Sequence, residues 1–458
     1  MRPSVIVIMA DDMGYGDFAC VNNGLNKTPH LNALHASALR LSQAYAASPV
    51  CAPSRAGFLT GRYPFRTGCT DLNAINALNS LAPSEVTIAE FFKAAGYTTG
   101  LVGKWHCGMN KGSRPEDKGF SHIEAFHAEG QDYWNWTIDR NGREIEAEGR
   151  YLTDYLSDRA VDFIENHAEG PFFLHLAYYS PHRPLQAPSE LVSKYAADKR
   201  LTPGQAVVYA MIEAMDTGIG RVVQALKDAG VYEDTIIVFT SDNGPDDFEE
   251  NGLSPVRFNC GLRGQKYTVS EGGIRVPMLM NWPGKLAPGD NDTLFHFVDI
   301  LPTLAAACDV PLQAGLPRDG VNRLDCLLGG TGADAVTRYW QWNRYYPQAE
   351  CNAAIRQGKW KLVVPGREGY RKMSPENSAM VRREIPYRII RPDQVPNPTL
   401  GPMQPPQLFD MEADPGETAD LSHVKAELAT ALHNELGVWF DEMCAELDLI
   451  VKARFDKE

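Results

Sequence analysis

Nowhere in its 458 residues does this sequence hold an apolar run approaching the roughly twenty residues that a membrane-spanning helix requires, so no membrane partner is expected. Basic charge is in deficit. Lys and Arg number 44 against 58 Asp and Glu, a formal net charge of −14, and a nucleic-acid binder calls for the opposite balance, so no nucleic-acid partner is expected either. An anionic substrate would have to be drawn by a local basic pocket rather than by net charge. A cysteine framework is also missing: nine cysteines, an odd number and widely scattered, suit a reducing compartment. The start, Met1-Arg2-Pro3 and then Ser4 to Ala10, has a cation but an apolar run too short for a signal-peptide core. The sequence as it stands therefore predicts a cytoplasmic protein, or a periplasmic or secreted one if a signal peptide has been removed. No internal repeat is visible.

What is present is the composition of a globular protein, 44% hydrophobic and 22% charged, in a chain long enough for one large domain and a smaller one. Ser4 to Ala10 is a continuous apolar run of strand length, and Asp11 and Asp12 follow it at once. The arrangement recurs. Thr99 to Gly103 leads to Lys104-Trp105-His106, Phe172 to Tyr178 leads to Pro181-His182, and Thr235 to Thr240 leads to Asp242-Asn243-Gly244. Helical stretches near Ile88 to Ala95, Leu152 to Asn166 and Ala206 to Ala229 lie between them. The alternation predicts an α/β fold with a mostly parallel sheet flanked by helices. In such sheets ligands bind beyond the carboxyl ends of the strands, where all four polar clusters fall. An Asn141-Gly142 turn predicts a hairpin, expected to border the pocket. Gly329 to Gly332 marks the expected boundary between a catalytic domain, 1–330, and a C-terminal α+β domain, 331–458. The latter should hold short antiparallel strands at Tyr339 to Trp342, Ala353 to Ile355, Trp360 to Val364 and Gln407 to Met411, and a closing helix from Lys425 to Glu446.

The stretch that organises the rest is Cys51-Ala-Pro-Ser-Arg-Ala-Gly-Phe-Leu-Thr-Gly-Arg62. Pro53 suits a first helical turn and Gly61 a helix end, which sets Cys51 at a helix N-terminus, where unpaired N–H groups and the dipole attract an anion and lower a thiol pKa. This stretch resembles the signature of the type I, formylglycine-dependent sulfatases of the alkaline phosphatase superfamily at every fixed position. Further landmarks are similar in family order: Asp11-Asp12-Met13-Gly14-Tyr15-Gly16-Asp17, Thr28-Pro29-His30-Leu31, Gly103-Lys104-Trp105-His106, Pro181-His182, Asp242-Asn243-Gly244, Lys266 before Glu271-Gly272-Gly273, and Leu408-Phe409-Asp410 through Asp414-Pro415-Gly416-Glu417.

Asp11, Asp12, Asp242 and Asn243 form an all-oxygen set that suits a hard divalent cation, Ca²⁺ or Mg²⁺, and not zinc; the resemblance implies Ca²⁺, one per chain, with modified Cys51 as a further ligand. It also implies that a maturation enzyme oxidises Cys51 to formylglycine, whose hydrate attacks sulfur with one hydroxyl and expels sulfate with the other. By the matching motifs, Arg55 would hold the formylglycine, Lys104 and Lys266 would bind sulfate oxygens, His106 would be the base and His182 the acid. Taken alone, each lysine would be an ordinary surface residue and His182 a loop histidine; the motifs outweigh those readings.

The expected activity is hydrolysis of a sulfuric ester, with sulfated carbohydrate the preferred substrate and an aryl sulfate an artificial one. The rivals are a phosphonate or phosphate ester hydrolase on the same fold and a non-catalytic binder of sulfated glycans. His175, within an apolar strand, reads as a core residue, and His127, Asp132, Trp134 and Trp136 as packing rather than a sugar platform. The basic stretch 365–405, with Arg367, Arg371, Lys372, Arg382, Arg383, Arg388 and Arg391, reads as a solvated excursion; the sharper expectation is that it reaches the rim of the site.

Overall fold

The computed structural model describes residues 2–72, 78–127, 130–313, 315–330, 336–372 and 399–455. Strand β1, Ser4–Ala10, lies at the centre of the main sheet with every residue buried. Strand side chains alternate between faces, and the consequence is explicit here. Val5, Val7 and Met9 enter one hydrophobic cluster, whereas Ile6, Ile8 and Ala10 enter the other on the opposite face. Each fully buried Val or Ile contributes roughly 1.5–3 kcal/mol, which explains why a run with no polar interruption was required.

In chain order the other strands of this sheet are β2 Leu39–Leu41, β4 Thr98–Lys104, β5 His122–Phe126, β6 Thr137–Arg140, β7 Arg143–Glu146, β8 Phe172–Ala177, β9 Thr235–Ser241, β10 Met278–Asn281 and β11 Gly289–Asn291. Their spatial order is β11-β2-β10-β9-β1-β8-β4-β5-β6-β7. The five central strands β9, β1, β8, β4 and β5 run parallel, with Val7 opposite both His175 and Val238. Antiparallel pairings occur toward both edges, where β10 meets β9 and β2, and β5, β6 and β7 follow one another. The sheet is therefore mixed at its edges and parallel in its core. A two-stranded pairing joins β3, Ala44–Tyr45, to β12, Phe295–His296.

The helix Pro203–Asp228 starts on a capping box between Thr202 and Gln205, with Pro203 at its first position, and covers one face of the sheet together with the helix Leu152–His167. Toward the C-terminus a second sheet, β13 Thr337–Gln341, β14 Ala353–Gln357, β15 Trp360–Val364 and β16 Gln407–Asp410, is antiparallel throughout. The helix Ala426–Phe455 packs on it, with Trp439 stacked on Tyr339 at 5.0 Å between ring centroids. It runs a further turn or more past Glu446, because Leu447 and Val451 continue the buried stripe. The expected boundary lies largely outside the described residues, which omit 331–335.

Candidate active site

The four polar clusters emerge at the carboxyl ends of β1, β4, β8 and β9, adjacent strands in the sheet. The helix Cys51–Thr60 points its first turn at them. Val50 precedes it in extended conformation without a side-chain cap, and Gly61 ends it at φ +69°, its N–H donating to the Gly57 carbonyl. All ten residues of this helix are buried. Ser54 anchors it by donating to the Asp242 carbonyl at 2.6 Å.

Around Cys51 the predicted residues form one hydrogen-bonded network. The Cys51 thiol lies 3.4 Å from Asp11 Oδ1, and Lys104 Nζ donates to Asp11 Oδ2 at 2.6 Å. Lys266 Nζ donates to Asp12 Oδ2 at 2.7 Å, with His182 Nε2 3.6 Å from the same oxygen. Arg55 Nε donates to Asp242 Oδ2 at 2.9 Å, and Nη1 to the Lys104 carbonyl at 3.1 Å. Asn243 Nδ2 donates to Asp12 Oδ1 at 2.7 Å. His106 stands beside this network, fully buried, its Nε2 3.1 Å from the Leu72 carbonyl. Asp12 and His106 both hold left-handed backbone, φ +63° and +53°, a conformation that costs a non-glycine residue of order 1–3 kcal/mol and clusters at functional sites.

Both lysines are buried rather than exposed on the surface, at 0% and 1%, and both stay charged. Burial favours the neutral amine, but the charge of Asp11 beside Lys104, and of Asp12 beside Lys266, outweighs it and raises each pKa. Burial pushes the Asp12 carboxyl up to about 7 against the opposing charge of Lys266. It also raises Asp11, with the Asp242 charge adding to the effect. Asp242 is held below the usual carboxylate range, because Arg55, Lys104 and Lys266 together overcome its burial.

One expectation is corrected. The helix N-terminus does not yield a reactive thiol: burial, then the charges of Asp11 and Asp242, push Cys51 well above the ordinary thiol range.

A divalent cation fits this donor set. Ligand atoms of Asp11, Asp12, Cys51 and His182 lie within 4.8 Å of one another. Asp242 is not in that group; its Oδ2 accepts from Arg55 Nε and its Oδ1 from the Asp12 N–H. Asn243 Oδ1 is buried with no hydrogen-bond partner, an acceptor oxygen at a place where hard cations take such oxygens.

His175 is a core residue as expected, stacked on Phe58 at 5.4 Å. Trp136 is buried and Trp134 is 40% exposed. The hairpin of β6 and β7 lines, through Thr137, Asp139 and Gly142, a cleft of about 520 Å³ that none of the network residues borders. In the basic stretch, residues 373–398, Arg382 and Arg383 among them, lie outside the described residues. Arg371 does reach the loop after β9, donating to Asp247 Oδ1 at 2.8 Å.

Two supporting residues escaped the sequence reading. Arg257, its side chain packed against Asp17, donates to the Asp12 carbonyl at 2.8 Å and so holds the strained Asp12 turn. Asp246 stands 3.9 Å from Lys266 Nζ; the acidic pair Asp246-Asp247, one proline past Asp242-Asn243-Gly244, was its only local signal.

The family model described as Sulfatase matches residues 3–310 of the chain. The chain is 30% identical to human arylsulfatase A, over 92% of this chain and 83% of that protein. It is 28% identical to the N-acetylgalactosamine-6-O-sulfatase of Bacteroides thetaiotaomicron, over 94% and 92%. Among solved structures, Ps i-CgsB in complex with k-i-k-neocarrahexaose matches with a TM-score of 0.81 and 28% identity, covering 100% of this chain and 99% of that one.

Proposed function

The chain belongs to the sulfatase family and is a sulfuric ester hydrolase, and from that premise we propose that it releases inorganic sulfate from a sulfated carbohydrate, using a formylglycine formed at Cys51 and a Ca²⁺ ion held by Asp11, Asp12, Asp242 and Asn243. The observation that carries the reading is the convergence of the Cys51 thiol, two buried lysines and the Asn243 amide on one pair of aspartates. The carbohydrate class is supported by the N-acetylgalactosamine-6-O-sulfatase relative and the neocarrahexaose complex.

Hydrated formylglycine supplies two hydroxyls on one carbon, one a nucleophile and the other a group whose deprotonation lets sulfate leave. A bound cation supplies Lewis-acid polarisation of a sulfate oxygen. The remaining work falls to the chain's own side chains. Lys104 and Lys266, both buried beside residue 51, bind the sulfate oxygens, where charge builds in the transition state. Arg55, pinned by Asp242, keeps residue 51 in place.

His106 takes a proton at Nδ1, which is buried and without a hydrogen-bond partner. His182 delivers one from Nε2 to the leaving oxygen, its Nδ1 being 2.6 Å from the Arg183 carbonyl. Burial, then the charges of Lys266 and Lys104, keep His182 neutral in the resting site.

Cys51 is 1% exposed, so the maturation enzyme must act before this helix is packed. The test is the mass of the residue-51 peptide after co-expression with a formylglycine-generating enzyme, read beside sulfate release from an aryl sulfate and a panel of sugar sulfates. Aldehyde formation with release from a sugar sulfate is the expected result. Release confined to phosphate esters would overturn the substrate class, and full turnover by the unconverted thiol would overturn the nucleophile.

A further inference from the structure

The wall of the site beside Lys266 carries a carboxylate oxygen that the reaction leaves unused. Asp246 is 6% exposed. Its Oδ1 accepts the backbone N–H groups of Asp247 at 2.8 Å and Phe248 at 3.2 Å, and these two bonds orient the carboxyl group. Its Oδ2 is buried without a hydrogen-bond partner, at ion-pair distance from Arg183 Nε, 3.3 Å, and Lys266 Nζ, 3.9 Å. A buried acceptor left without a hydrogen is costly, and its cost is recovered when a ligand donates to it.

The surroundings decide which ligand group that is. Phe248, 42% exposed, has the guanidinium groups of Arg183 and Arg371 at 4.9 and 5.1 Å from its ring centroid. Arg371 pairs with Asp247 as Arg183 does with Asp246, so among the described residues each guanidinium beside Phe248 already faces a carboxylate. A second sulfate or a carboxylate on the substrate would meet both aspartates. A neutral hydroxyl meets an open acceptor, with an apolar ring beside it for the carbon skeleton.

We propose that Asp246 is a specificity-determining residue: its Oδ2 accepts a hydrogen bond from a hydroxyl flanking the ester on the carbon skeleton, so that hydroxyl-bearing sulfate esters of the sugar type are selected over esters without a neighbouring hydroxyl. The inference rests on the proposed function, which places the sulfate oxygens at Lys266, one group away from Asp246. Sites that hydrogen-bond a substrate hydroxyl discriminate strongly against analogues lacking it, because their buried polar group is then left unpaired.

The experiment uses protein whose residue 51 has been verified as the aldehyde, and compares phenyl sulfate with 2-hydroxyphenyl sulfate, which adds one un-ionised hydroxyl beside the ester. The readout is the ratio of kcat/KM for the two esters, so intrinsic reactivity cancels between variants. Wild-type protein is expected to favour the hydroxylated ester by about tenfold or more, Asp246→Ala to bring the ratio close to one, and Asp246→Asn, which keeps an acceptor oxygen, to retain part of the preference. A wild-type ratio near one overturns the inference. So does a ratio that Asp246→Ala leaves unaltered while both rates fall together, since Asp246 would then only steady Lys266 and Arg183. If converted wild-type protein hydrolyses neither ester, the same ratio is read on a sugar sulfate and its deoxy analogue lacking the neighbouring hydroxyl; a ratio near one there overturns the inference alone, and no release from any sugar sulfate overturns the proposed function and the inference with it.

Discussion

The Nε2 atom of His106 lies 3.1 Å from the carbonyl oxygen of Leu72. A carbonyl only accepts, so Nε2 carries the proton and Nδ1 is left with the lone pair. Burial, then the charge of Lys104, holds this imidazole well below its ordinary pKa, so it stays a neutral acceptor through the physiological range. Replacing His106 with Ala should lower kcat on an aryl sulfate by about 10²–10⁴, the usual contribution of a positioned base. Steady-state kinetics on converted protein will check this, and an undiminished kcat removes His106 from the base role.

Removal of the cation should be visible without any turnover. Asn243 already spends its amide nitrogen on Asp12 and the Gly244 carbonyl, leaving its oxygen for a ligand. Ca²⁺ at a hundred times its dissociation constant should stabilise chelator-treated protein by about 2.7 kcal/mol, read as a rise in Tm of a few degrees. Asn243→Leu, close in shape but without the oxygen, should shrink that rise. An identical Tm in chelator and in excess Ca²⁺ would count against the site.

Lys361 ties the C-terminal sheet to the loop that carries Lys266. Its Nζ is 2.8 Å from both Glu271 Oε1 and Glu417 Oε1, and all three side chains are fully buried. Lys361→Met keeps the length of the chain but leaves two buried carboxylates facing one another. The expected loss is about 3–5 kcal/mol in chemical denaturation. A change under about 0.5 kcal/mol would mean that the carboxylates find another partner.

Acid should destabilise the fold through His175. Burial, then the Arg55 charge, lowers its pKa to about 3, against about 6.5 in an unfolded chain. Below pH 6.5 the unfolded state therefore takes up a proton that the folded state refuses, and stability falls as pH drops from 6.5 toward 3, by up to about 1.4 kcal/mol per pH unit. Asp12, raised to about 7, acts with the opposite sign, so the comparison must be between variants. His175→Phe, which keeps the stack on Phe58, should lose stability less steeply between pH 7 and pH 5 than the wild type does. Parallel urea-midpoint curves for the two proteins would refute the assignment.

Much of this molecule was legible from short segments. The apolar run of β1 predicted its burial on both faces, and Pro53 and Gly61 bounded the helix at Cys51, because strand burial and helix ends are governed by neighbouring residues. The clusters after β1, β4, β8 and β9 could be assigned to one rim because parallel strands present their carboxyl ends together. That the basic stretch reaches the rim was an expectation, but the partner Arg371 meets there, Asp247, could not be foreseen, since no periodicity connects a basic stretch to an acidic turn far away in sequence.

The sequence by itself determined which chemical groups are delivered to the site and at which strand ends they stand, since both follow from local pattern. Tertiary structure alone decided their electrostatic state: the raised Cys51 thiol, the tautomer of His106 set by Leu72, the unpaired oxygens of Asn243 and Asp246. Lys266 and Asp12 meet at 2.7 Å across 254 positions of chain. A pKa or an unmet hydrogen bond is a sum over every neighbour and over lost water, and those neighbours come together only when the whole chain has folded.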